Sequence, residues 1–119
     1  MRHRRDALTC TATPDARHDY LVELAGEPMP GTRLTVRYVP DRLVAQPQGF
    51  LAYLGGLSAV AGGLEALALA VLDDLNNELV PRWVEVTAER TAPLPHRVVV
   101  EDRQPSWDNP ALLARMRRI

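Results

Sequence analysis

Six aliphatic residues, Leu64, Leu67, Val71, Leu72, Leu75 and Leu79, recur at i, i+3, i+7, i+8, i+11 and i+15, and this spacing constrains the fold of the chain more than any other feature. Residues three, four and seven apart share a face at 3.6 residues per turn, so the six form one stripe of an α-helix. Asp73, Asp74, Asn77 and Glu78 are expected on the opposite, solvated side, and Pro81 ends the helix. A helix with a single apolar stripe must bury it against another layer, which the flanking sequence has to supply.

Strands supply it. The run YLVEL from Tyr20 reads as a strand, and GEPMPG at 26–31 has the Gly and Pro of a turn. In TRLTVRYV, Leu34, Val36 and Tyr38 share one face and Arg33, Thr35 and Arg37 the other, the period-two pattern of a sheet covered on one side; Pro40 closes it. Residues 48–60 are apolar around Gly55-Gly56, fitting a short buried helix or a helix and a loop. After the long helix, RWVEVTAE at 82–89 and HRVVVED at 96–102 alternate as two more strands. A C-terminal helix fits PSWDNPALLARMRRI, with Asp108 or Asn109 as N-cap, Pro110 in the first turn and Arg115, Arg117 and Arg118 complementing the dipole.

The first nineteen residues show neither period, so 1–19 is expected to be an irregular arm whose basic cluster, Arg2, His3, Arg4 and Arg5, is a solvated terminus. Residues 20–119 then form one domain of order β-β-α-α-β-β, an α+β layer with two helices on one face of an antiparallel sheet. Its open edges must be covered or paired, and pairing them between subunits would make a barrel-like homo-oligomer.

Composition narrows the function. Over 119 residues, 14 basic side chains, all Arg, face 15 acidic ones, leaving a formal charge of −1 and no reason to expect binding to nucleic acid or an anionic membrane. Aromatic content of 5% argues against base-stacking platforms. The one cysteine, Cys10, has no partner for an internal disulfide, and no apolar stretch resembles a signal peptide or membrane span, so a cytoplasmic location is expected. Histidines at 3, 18 and 96 with one cysteine lack metal-ligand spacing, and there is no phosphate-binding or dinucleotide fingerprint.

Residues 34–89 resemble the NADPH-dependent 7-cyano-7-deazaguanine reductase (QueF) family of tunnelling-fold, or T-fold, proteins. The matches are RYVPD at 37–41, Tyr53-Leu54, Glu65, LDDL at 72–75 and PRWVEVTAE at 81–89, about half the chain. The resemblance implies a T-fold: β-β-α-α-β-β subunits whose sheets join into barrels with ligand sites at subunit interfaces.

It also implies a chemistry whose parts can be sought one by one. The family reduces a nitrile through a cysteine that adds to it as a thioimide. That cysteine lies between the first two strands, where GEPMPG is too short and holds neither Cys nor Asp. Cys10, followed by Asp15, precedes the first strand and differs in spacing. The family's Glu-Ser-Lys-Ser type segment aligns with Gln46, Pro47, Gln48 and Gly49, and its Phe-His-Glu motif with Gly63, Leu64 and Glu65. Its Arg-Gly-Gly turn aligns with Pro93, Leu94 and Pro95. Nucleophile, acid and cofactor-binding cation are therefore replaced together, and no NADPH or other cofactor is expected.

Glu65 is the retained functional position; in T-fold enzymes the matching glutamate accepts hydrogen bonds from the N–H edge of a purine or pterin. Beside the apolar stripe it is expected to be partly buried, which would raise its pKa into the range of general acid/base work. His96 is the second catalytic candidate. Arg33 and Arg37, sharing a strand face, could receive a carboxylate or phosphate, and Tyr53 and Leu64 complete the expected substrate contacts. The small apolar residues Gly55, Gly56, Ala59, Ala61, Gly62, Gly63 and Leu64 either line a roomier, less polar pocket or pack the helices closely. These features favour a cofactor-independent acid/base enzyme (an isomerase, cyclase, lyase or hydrolase) acting on a small specialised metabolite. The alternatives are a non-catalytic T-fold subunit that binds a small molecule or a partner, and nitrile reduction through Cys10.

Overall fold

Residues 3–116 are described in the structure, a computed structural model. Four long strands, β2 (Val22–Met29), β3 (Thr32–Val39), β5 (Trp83–Arg90) and β6 (His96–Arg103), form an antiparallel sheet in the order β2-β3-β5-β6. The helices α1 (Pro47–Leu54) and α2 (Gly63–Leu79) lie between its two hairpins. Strands β1 (Cys10–Ala12) and β4 (Leu43–Ala45) pair separately, and α3 (Pro110–Arg115) follows the sheet. The chain is thus α+β, with both hairpins and the helices between them where the periodicities put them.

The core is built on strand alternation. Leu34, Val36 and Tyr38 of β3 pair with Ala88, Val86 and Val84 of β5, and all six are buried against the helices. From α2 come Leu64, Leu67, Ala68, Val71, Leu75 and Leu79. The other sheet face is half open. At one end Val39 and Trp83, paired across β3 and β5, pack under Leu113 of α3. Asn109 caps that helix, its side chain accepting from the Leu112 N–H. Arg115 falls in its last turn, whereas Arg117 and Arg118, and Arg2 at the other terminus, lie outside the described residues.

Three readings need correction. The turn is only Pro30-Gly31, with Gly31 at φ 81°; Gly26–Met29 continue β2 through a register shift, where Pro28 is tolerated because β2 is an edge strand. The arm is not irregular: Arg4–Ala7 form a 3-10 turn and Cys10–Ala12 pair with β4. Leu8 joins the main core, and Gln46 N–H donates to the Thr9 carbonyl. Asp74 is not on the solvated side of α2 but fully buried. Its carboxylate accepts from Arg4 Nε (2.7 Å) and Nη2 (3.2 Å) and from the Tyr53 hydroxyl (2.6 Å), so Arg4 is part of a buried ion pair rather than a solvated terminus.

Candidate functional site

Gly62 and Gly63, at φ 109° and 88°, turn the chain into α2, and a side chain at Gly62 would put its Cβ 2.8 Å from that of Ala66. The helix therefore starts abruptly, without a side-chain cap, and Glu65 occupies its first turn. Acidic side chains are favoured there because the first-turn N–H groups carry partial positive charge. Since α2 packs across β5 and β6, this turn lies over the beginning of β6, where His96 stands. Glu65 Oε2 is 3.9 Å from His96 Nε2, with the side chains 67% and 45% exposed. Both candidate catalytic residues meet at one place, too far apart for a direct hydrogen bond and open to a bridging molecule.

Glu65 is more exposed than its place beside the stripe implied. Leu64, in the same turn, is buried in the core, whereas the Glu65 side chain leaves the stripe for solvent. The burial expected there is therefore absent within one chain.

Other sequence candidates go elsewhere. Tyr53 is fully buried, donating to Asp74, and burial together with that carboxylate holds its hydroxyl far above the usual phenol range. Leu64 is buried in the core. Neither side chain is open to a ligand in one chain. Arg37 and Arg33 do share the sheet face away from the helices. Arg37 has taken an internal carboxylate, Glu85 at 2.8 Å, and lies 5.7 Å over the Trp83 ring, while Arg33 is exposed and registers with Glu89. The face is a charge ladder in which Arg97 pairs with Glu89 and Trp83 Nε1–H donates to Glu101.

Cys10 is partly buried, its thiol within 3.4 Å of the Leu8 carbonyl and 3.7 Å of the Glu78 carbonyl. Burial, reinforced by the Glu78 charge, raises its pKa, the opposite of what an activated thiol requires. Glu78 and Glu65 are thirteen residues apart on α2, about 20 Å at 1.5 Å per residue. Within one chain the thiol and the Glu65–His96 pair cannot share a substrate.

The segments aligned with cofactor contacts lie at the start of α1 and between β5 and β6. At Gly49 an added Cβ would lie 2.4 Å from Thr9 Oγ1 and 2.9 Å from the Ala7 carbonyl, so residues 7–9 fill the space over the start of α1. Thr91–Pro95 contribute no cation. The flanking arginines are held, Arg90 on Thr32 Oγ1 at 2.7 Å and Arg97 on Glu89 at 3.2 Å. Among the described residues no group of three or more His, Cys, Asp or Glu converges as a metal site, and no helix is long and apolar enough to cross a membrane.

Of the small apolar residues, Gly55 borders a groove of about 510 Å³ between β2 and α1. Sequence reasoning missed that groove because it comes from Leu24, Phe50, Leu51 and Leu54, each of which reads as ordinary core. It missed Asp74 too, although position 74 lies three after Val71 and seven after Leu67, on the stripe itself.

Among curated proteins the chain is similar to the NADPH-dependent 7-cyano-7-deazaguanine reductase of Nitrosococcus oceani, at 28% identity over 119 aligned positions. The alignment covers 89% of this chain and 92% of that protein. The likeness takes in the whole sheet. About 11% of 119 residues, or roughly 13, lie outside it, fewer than the 21 before Val22 or the 16 after Arg103. No protein-family model matches the chain.

Proposed function

We propose that this protein is a T-fold subunit, related to the 7-cyano-7-deazaguanine reductases, that has left nitrile reduction and performs acid/base chemistry on a small nitrogen-bearing metabolite. Glu65 accepts the N–H edge of the substrate, and His96 gives or takes a proton beside it. The convergence of Glu65 and His96, at 3.9 Å, carries this reading. A carboxylate and an imidazole at that spacing can grip a heterocycle and move a proton on it without a nucleophile. Subunits join at their sheet edges, so the pair, open in one chain, is enclosed in an interfacial pocket.

Reductase chemistry fits the residues poorly. The thiol lies at the far end of α2 with its pKa raised, and a nicotinamide dinucleotide would find no free cation at Thr91–Pro95 and no room over Gly49.

A thermal-shift panel of purines, deazapurines and pterins, run on wild type, Glu65→Gln and His96→Asn, tests the reading. At least one heterocycle stabilises wild type and fails to stabilise Glu65→Gln. For that ligand His96→Asn keeps binding but loses turnover, scored by chromatographic separation of product from ligand. A panel in which no compound distinguishes wild type from Glu65→Gln contradicts the assignment.

A further inference from the structure

Glu65 meets His96 at the start of β6, and further along α2 the Asn76 side-chain N–H donates to Asp102 Oδ2 at 3.0 Å near the end of the same strand. Helix and strand therefore run side by side in one direction, bridged by a polar pair at each end. Along the helix the two bridges are about 16 Å apart.

What lies between the bridges is aliphatic. At 3.6 residues per turn Leu69 and Leu72 fall with Glu65 and Asn76 within about 60° of the helix, so the face that reaches β6 at both ends carries two leucines in its middle. On the strand, Val98 and Val100 share a face with His96 and Asp102 by the period of two. Leu72, Val98 and Val100 are partly buried against the main core, whereas Leu69 is 54% exposed. A lone exposed leucine is ordinary. Leu69 differs in standing over an aliphatic seam that opens onto the Glu65–His96 pair. It is one turn from Glu65 and Val98 is two residues from His96, about 6 and 7 Å away, so a molecule held between carboxylate and imidazole has its far side on these two side chains.

We propose that the ligand of this site is amphipathic: a heterocycle whose N–H edge meets Glu65 and whose opposite side carries an alkyl or aryl substituent lying in the seam over Leu69, Leu72 and Val98. This rests on the Glu65 reading above and adds the substrate class to it. A bare ring satisfies the carboxylate and leaves the seam in water, whereas a substituted one also removes Leu69 from water. Leu69 is therefore the specificity-determining residue, discriminating substituted from bare rings without touching the N–H edge.

Calorimetric titration of the full chain with 9-methyl-, 9-propyl- and 9-hexylguanine tests it, since the three share one N–H edge and carry the chain on the opposite side of the ring. In wild type, affinity is expected to rise at least about tenfold from methyl to hexyl. Leu69→Asn, checked for native circular dichroism, is expected to flatten that rise while leaving 9-methylguanine unchanged, and Leu69→Met to keep the rise. Glu65→Gln is expected to weaken all three alike. A flat series in wild type that Glu65→Gln weakens overturns the seam and leaves the Glu65 reading standing, as does a rise that Leu69→Asn does not flatten. A rising series that ignores Glu65→Gln overturns the Glu65 reading and this inference with it, and so does a series in which no member binds.

Discussion

The Asp74 carboxylate, buried to 1% side-chain exposure in the middle of α2, is neutralised by Arg4, seventy residues away in sequence, with Nε at 2.7 Å from Oδ2. One ion pair thus ties the N-terminal segment to the main helix from inside the core. The Tyr53 hydroxyl supplies a third hydrogen bond to the same carboxylate, joining α1 to the arrangement.

Removing Arg4 strands a buried charge. Arg4→Ala should cost about 2–3 kcal/mol, below the full penalty for a dry pair because the Arg4 side chain is a quarter exposed. Urea unfolding measures it, with a lower midpoint and an unchanged slope. Arg4→Ala combined with Asp74→Leu should recover much of the loss, because the uncompensated charge is then gone.

The N-terminal segment also lies against α1 at Gly49. Gly49→Ala would push a methyl to within 2.9 Å of the Ala7 and Thr9 backbones, so residues 7–9 must give way. A loss of about 1–3 kcal/mol is expected, with faster proteolysis confined to residues 3–13 while α2 stays protected.

Asp19 predicts the acid limb of the stability curve. Burial alone would raise its pKa, but hydrogen bonds from Asn109, Arg82 and Trp107 outweigh burial and hold it below the usual carboxylate value. Its contribution is therefore present above the unfolded-state pKa, near 3.9, and is lost as pH falls through the lower folded value. In unfolding midpoints from pH 6 to 2, Asp19→Asn should start lower than wild type and fall less steeply below pH 4.

Cys10 should behave as a structural thiol. With its pKa raised by burial and by Glu78, it is expected to react with iodoacetamide at pH 7 more slowly than free cysteine and to speed up on denaturation. A fast reaction in the native protein would reopen the case for a nucleophile.

Where the sequence was readable, the reason was periodicity. Leu34, Val36 and Tyr38 on one strand, and Leu64 to Leu79 on one helix, bury the faces their spacing requires, which places the sheet and α2. Asp74 was misplaced because an acidic side chain outweighed its position on the stripe, and only the distant Arg4 makes that position tolerable. The three residues of β1 are too few to show a period, and Leu8 is a lone apolar residue. For the site, Glu65 was marked by resemblance and His96 by being the sole histidine in the predicted core. Their meeting depends on how α2 crosses β6, which no local pattern encodes.

The most direct test of the central claim is a calorimetric titration of 7-cyano-7-deazaguanine into wild type and Glu65→Gln, with NADPH absorbance followed in parallel. Acid/base recognition by Glu65 predicts binding to wild type, at least tenfold weaker binding to Glu65→Gln, and no NADPH consumption. Binding that ignores Glu65→Gln, or NADPH oxidation that Cys10→Ala abolishes, would contradict it.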